Sequence, residues 1–208
     1  MHIRLLTIAL VTFLAACATE HVDTANWRGK TLALATRSEV PLEDITRGGE
    51  FLIGATGGVA DVGKGAVVAA ESGIEDPARR VAEDLFKVAQ DKYGVTAAPA
   101  VPLSRLANVS ESVRAAATVD LLLDVKSFAI TISPLFSHYS VGINMDARLI
   151  DIRAGKALAD SFCQQHANSG ATHEELLADQ ATRLKALLAA QREACFQKFK
   201  VEVLGVRP

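Results

Sequence analysis

The chain has 208 residues, with 22 Lys and Arg against 24 Asp and Glu, a formal net charge of −2 at pH 7. That balance leaves no basic excess to hold nucleic acid, and half of the residues are hydrophobic, enough for one domain with its own core. Aromatic residues make up only 5%, beside abundant alanine and aliphatic residues, a composition that points to a helix-rich α+β protein.

The first element is the stretch "MHIRLLTIALVTFLAAC". His2 and Arg4 form a short n-region, Leu5 to Leu14 is an apolar run, and Leu14-Ala15-Ala16 places small residues before Cys17. The run has the length of a secretory h-region and is too short to span a bilayer as a helix. The stretch resembles a bacterial lipoprotein signal peptide, with Leu14 to Cys17 as its lipobox. The resemblance implies removal of residues 1–16, a lipid on Cys17 and a firm membrane anchor, since several acyl chains hold where one binds marginally. Ala18 rather than Asp follows the cysteine, which by the sorting rule of such lipoproteins implies the outer membrane, facing the periplasm. The alternative is an ordinary cleaved signal with a chance cysteine. Losing Arg4 with the signal leaves 21 basic and 24 acidic residues, a net charge of −3.

Residues 17–29 read as the lipidated cysteine and a polar tether, and residues 30–208 as a single periplasmic domain. Lys30 to Arg37 predicts the first strand, with Leu32 and Leu34 alternating with smaller residues. Pro41 and Gly48-Gly49 break the chain ahead of a glycine-rich tract from Phe51 to Gly73. Asp76-Pro77 is a helix start, because Asp caps free backbone N–H groups and Pro suits the first helical position. Val81, Leu85, Val88 and Ala89 then recur at helical spacing up to a stop at Gly94. Val95 to Leu106 reads as an extended connection, and Ser110 as the cap of a short helix through Ala117.

From Asp120 the period changes to two. Leu121, Leu123 and Val125 lie at odd positions and Phe128, Ile130 and Ile132 at even ones, so a bulge is expected near Lys126-Ser127. Tyr139 to Leu149 alternates cleanly, with Ser140, Asn144, Asp146 and Arg148 on the polar side. A turn around Gly155 leads to a return strand with Leu158 and Phe162 on the buried side. The final element, from about Thr172 to Leu204, predicts a long helix. It opens with a Thr172/Glu175 capping box and carries an apolar stripe of Leu177, Ala181, Leu184, Leu188, Cys195 and Phe199. The expected fold is α+β: an antiparallel sheet, made of a meander plus the N-terminal strand, with helices packed on one face and a long C-terminal helix.

The candidates for chemistry follow. Gly58 to Lys64 is one residue short of a phosphate-binding loop, since Gly65 stands where the Mg²⁺-ligating hydroxyl belongs and Asp61 would face the phosphates. The same tract places Gly54, Gly58 and Val62 at i,i+4 spacing, which lets backbones approach closely. A close-packed helix is therefore the plain reading, a mobile loop is the alternative, and Gly54, Gly58, Asp61 and Lys64 form a candidate interaction segment. Cys163 and Cys195 are expected to form a structural disulfide, as the oxidising compartment allows, although alternation puts Cys163 on the exposed side of its strand. A metal site from Cys163, His166, His173 and Cys195 matches no compact spacing, so no metal or cofactor is expected. His173-Glu174-Glu175 begins like a metalloprotease helix, but Leu177 occupies the second ligand position. Carboxylates such as Asp120, Asp124 and Asp146 are accounted for by a solvated strand face.

In layout the mature domain resembles small periplasmic lipoproteins such as the curli-secretion lipoprotein and the lipoprotein activators of penicillin-binding proteins. That resemblance implies a non-catalytic protein of the outer membrane that docks on an envelope protein, with the membrane reached through its lipid. The polar meander face and the glycine-rich tract are the two surfaces for such contacts. An envelope hydrolase and a ring or pore component are the alternatives.

Overall fold

Alternation of apolar and polar residues from Leu121 onward builds the centre of the fold. The computed structural model describes residues 24, 26–37, 42–44, 62–104, 107–135 and 137–207, with the backbone alone for 43–44 and 62–66. Its strands are β1 (Thr31–Arg37), β2 (Leu42–Asp44), β3 (Thr96–Ala97), β4 (Val101–Leu103), β5 (Leu121–Leu135), β6 (His138–Asp151) and β7 (Lys156–Asn168). Its helices are α1 (Val62–Ser72), α2 (Pro77–Tyr93), α3 (Val109–Ala115) and α4 (His173–Glu202). Among the described residues the sheet runs β3-β1-β5-β6-β7, with β2 also beside β5 and β4 also beside β1.

The α+β class and the antiparallel β5-β6-β7 meander are as expected. The N-terminal strand is not antiparallel: β1 runs parallel to β5, with Leu32 opposite Leu121, and β3 and β4 pair parallel to its other edge. Helical crossovers separate β1 from β3 and β4 from β5, and a helix between strands of one sheet returns the chain in the same direction. The "extended connection" after Gly94 therefore supplies the two edge pieces β3 and β4.

Local chemistry sets the helix ends. Asp76 accepts from the Ala78 N–H at 2.9 Å, Pro77 follows, and Gly94 closes α2 with φ +66°. The cap of α3 is Asn108 rather than Ser110: its side chain accepts from Glu111 N while the Glu111 carboxylate takes the Asn108 N–H at 2.8 Å. An amide side chain one position before the first helical residue fills the orphan-donor role that Ser110, inside the helix, cannot. Thr172 and Glu175 make the expected capping box on α4, and that backbone hydrogen bond holds Glu175 below the usual carboxylate range.

Two helices, α2 and α4, lie against one sheet face, and the main core forms between them. It also takes in Trp27, which the sequence reads as tether. Trp27 is 2% exposed and its ring meets that of Tyr93 edge-on at 4.9 Å. The Tyr93 hydroxyl donates to the Leu204 carbonyl at 2.5 Å, and burial raises its pKa. The other face carries a smaller core, where α3 covers Ala33, Leu122 and Ile150. Helices therefore occupy both faces, not one.

Two bulges decide which side chains enter the main core. The first falls at Phe128, between the Ser127–Met145 and Ala129–Asn144 pairs, so Ser127 is buried and Phe128 turns outward instead of joining Ile130 and Ile132. The second falls in β7, where Leu149 pairs with Ala159 but Ile150 with Ala157, leaving Leu158 unpaired. One extra residue reverses the phase of the strand. Cys163 thus points into the core at 1% exposure and Phe162 out of it. Cys163 meets Cys195 of α4 in a disulfide with Cα atoms 5.6 Å apart, stabilising the fold by about 3 kcal/mol in the chain-entropy picture.

The C-terminal helix is interrupted. Asp179, Gln180 and Ala181 hold φ of 51°, 56° and 57°, a left-handed turn. This break moves Leu176 rather than Leu177 into the core ahead of Ala181, Leu184 and Leu188. A side chain in that region costs about 1 kcal/mol or more, and glycine escapes the cost. Gln180 is exposed. Replacing Gln180 with Gly should raise the thermal midpoint by roughly 2–4 °C in a calorimetric scan. A lowered midpoint would show that the turn is not left-handed in solution.

Candidate functional site

Beyond the reach of α3, the second face of the sheet carries a row of charged side chains set by the strand register. Asp124 lies opposite Arg148, Lys126 opposite Asp146, and Asp146 opposite Phe162 on β7. Sequence alone reads these carboxylates as solvated, but Asp124 is 2% exposed and Asp146 7%. Each is held by guanidinium or ammonium groups. The Arg37 fork clasps Asp124 with Nε to Oδ1 at 2.8 Å and Nη2 to Oδ2 at 2.5 Å. Arg37 also donates to the Ser104 carbonyl and, at 3.4 Å, to that of Ala107. Asp146 is shared between Arg148 Nη2 at 2.6 Å and Lys126 Nζ at 3.8 Å. Burial, with Arg148 close by, holds the Lys126 ammonium below the ordinary lysine range, against the pull of Asp146.

Two aromatic rings stand beside this row. Lys126 Nζ lies 4.6 Å from the centre of the Phe128 ring, and the Phe128 and Phe162 rings are 6.2 Å apart. Both are among the few large apolar side chains that are exposed, at 42% and 48%. The β7 bulge and the β5 bulge together put them on the same face, so the pair follows from two irregularities that composition does not reveal. Further along, Gly142 leaves room for its neighbours. A Cβ there would come 2.5 Å from His166 Nδ1 and 2.9 Å from Thr131 Oγ1, so glycine allows His166 to lie across β6. Asn144 sits between these groups, with its Oδ1 buried and, among the described residues, lacking a hydrogen-bond partner.

A cavity of about 350 Å³ opens where β1 parts from β5, with Leu34, Ala82 and Val125 lining it and Asp76, Arg79 and Glu83 along it. Its ionic groups are engaged: Arg79 pairs with Glu83 at 3.2 Å, and Asp76 accepts from Ala78 and, at 2.6 Å, from the Ser127 hydroxyl. Among the described residues no nucleophile with an adjacent base lines it. Among the described residues no group of His, Cys, Asp and Glu is placed to hold a metal, and the two cysteines of the metal reading are consumed by the disulfide.

The remaining sequence candidates fall elsewhere. Cys17, Gly54, Gly58 and Asp61 lie outside the described residues, while Lys64 sits in the first turn of α1, so the tract is helical from Val62. Asp120 is a structural group: it accepts from the Thr31 N–H and hydroxyl, each at 2.9 Å, and those bonds hold it below the usual carboxylate range.

No protein-family model and no curated protein matches this sequence. Among solved structures, the chain is similar to a Xanthomonas campestris protein of the family described as DUF330, at 13% identity and TM-score 0.40, over 85% of this chain and 87% of that one. It is similar to lipoprotein GNA1162 from Neisseria meningitidis at 19% identity and TM-score 0.29, over 77% and 99%. A third is the LpoB C-terminal domain from Salmonella enterica, at 11% identity and TM-score 0.27, over 66% and 83%. Bacterial lipoproteins are thus among the structures it is similar to, at TM-scores that carry no argument about what it does.

The Arg37–Asp124 pair gives the site its first test. Breaking a buried pair leaves an uncompensated charge, which costs about 3–5 kcal/mol, whereas replacing both partners with apolar groups costs far less. Urea unfolding of Asp124→Ala should show that loss, and Arg37→Met/Asp124→Leu should recover at least half of it. Equal losses in both variants would show that the pair's charges are not what holds this corner.

Proposed function

We propose that this chain is a lipoprotein of the bacterial outer membrane, anchored through Cys17 on the periplasmic side, that acts without catalysis by holding an envelope protein against the open face of its sheet. The observation that carries the reading is the exposed Phe128–Phe162 pair beside a desolvated row of charges, on a face that α2 and α4 leave open. Aromatic side chains next to partly buried charge, in a patch rimmed by polar groups, are what interface centres are made of. The partner suited to it offers an apolar side chain to the two rings and a carboxylate to Lys126, whose contact with Asp146 is as long as 3.8 Å. The "LAAC" stretch supports the anchor, and no helix among the described residues is long and apolar enough to cross a membrane.

Two measurements bear on this. Substituting Cys17 with Ser should move the protein from the membrane pellet to the soluble fraction of lysed cells; unchanged sedimentation would remove the lipid anchor from the reading. A photo-crosslinking residue at the exposed position Gln164 should capture a discrete protein in intact cells, and adding Phe162→Asp should abolish the product while thermal unfolding stays unchanged. Crosslinks obtained from Glu193 on α4 but not from Gln164 would place the contact surface on the helices instead.

A further inference from the structure

A groove of about 200 Å³ lies between the loop leading into α2 and the middle of α4. Its charged lining is Glu75, Asp76, Arg80, Lys185 and Arg192, three cations against two carboxylates. Both carboxylates are engaged. Glu75 holds Arg80 at 3.0 Å, and Arg80 also reaches Glu83 at 3.2 Å, while Asp76 caps α2 and takes the Ser127 hydroxyl. Lys185 and Arg192 differ: among the described residues neither forms a hydrogen bond or an ion pair, though each is only half-exposed.

Their spacing gives the pair a geometry. Seven residues are two helical turns, so both project from one side of α4, about 10 Å apart along its axis. Leu188 and Ala189 lie between them, and Ile74 and Pro77 face these across the groove. An apolar strip bracketed by two uncompensated, partly desolvated cations complements a ligand with an anionic head and an apolar stem. Such a head receives charge-assisted hydrogen bonds from either side chain. We propose that this groove binds a small amphipathic anion, a phosphate or carboxylate on an apolar stem, with its head held by Lys185 or Arg192 at an end of the apolar strip and its stem along Leu188 and Ile74. The site is separate from the sheet face, being built on the helical layer, and it stands whether or not that face holds a partner.

Titration calorimetry of the full chain in dilute buffer tests it with three probes: dihexanoyl phosphatidic acid below its micelle concentration, dihexanoyl phosphatidylcholine and inorganic phosphate. The phosphatidic acid should bind at least tenfold tighter than either of the others. Lys185→Gln/Arg192→Gln should weaken it at least tenfold, while Lys87→Gln/Lys92→Gln, with the same change of net charge on the exposed side of α2, should not. Equal binding of the choline lipid would make the groove merely apolar. Equal binding of phosphate would make it an ion site without a stem. Absence of binding, or an equal loss in the two double variants, would overturn the proposal altogether. Unchanged thermal unfolding of both variants ensures that the comparison reads the groove rather than the fold.

Discussion

The clasp of Arg37 on Asp124 is the contact around which the two faces of the sheet are arranged. It joins the end of β1 to β5 across 87 residues of sequence. Through the Ser104 and Ala107 carbonyls it also fixes the segment that leads to α3. A guanidinium fork suits this place because it satisfies a carboxylate and backbone acceptors together while keeping its charge. At that point β1 stops following β5 and pairs with β4 instead, which opens the cavity on one side and ends the cover of α3 on the other. The open charged row begins where the clasp leaves off.

Much of this was legible in the sequence wherever the determining chemistry is local. Asp76-Pro77, Gly94 and Thr172 with Glu175 mark helix ends because each acts on backbone groups a few residues away. The phase change near Lys126 announces the β5 bulge in the pattern itself, and the polar side of β6 at Asn144, Asp146 and Arg148 follows from alternation. What stays hidden is set by distant partners. Parallel pairing of β1 depends on where the crossovers return. The Leu158 bulge leaves no trace in a strand of small residues, so alternation assigns Cys163 and Phe162 to the wrong sides. The left-handed turn at Asp179 to Ala181 contradicts local preference and persists only under tertiary constraint.

For function the division is similar. The resemblance of "LAAC" to a lipobox is read from a linear pattern, so sequence is its natural source. A surface is not linear: Phe128 and Phe162 become neighbours only after two strands have slipped phase, and Lys185 and Arg192 stand out only once their neighbours' charges are seen to be spent elsewhere. Electrostatic meaning here comes from subtraction. Within the groove the other ionic groups are engaged, so Lys185 and Arg192 are the informative ones.

The burial of Trp27 has a mechanical side. The indole, the Tyr93 ring and the Leu204 carbonyl form one knot, tying the segment ahead of β1 to the ends of both long helices. Tension applied to the chain upstream of Trp27 therefore enters the domain at three elements at once. Beyond the knot it meets β1, whose parallel bonds to β5 must shear together rather than peel one by one. A domain hung from this point would sooner transmit a pull than unravel under it.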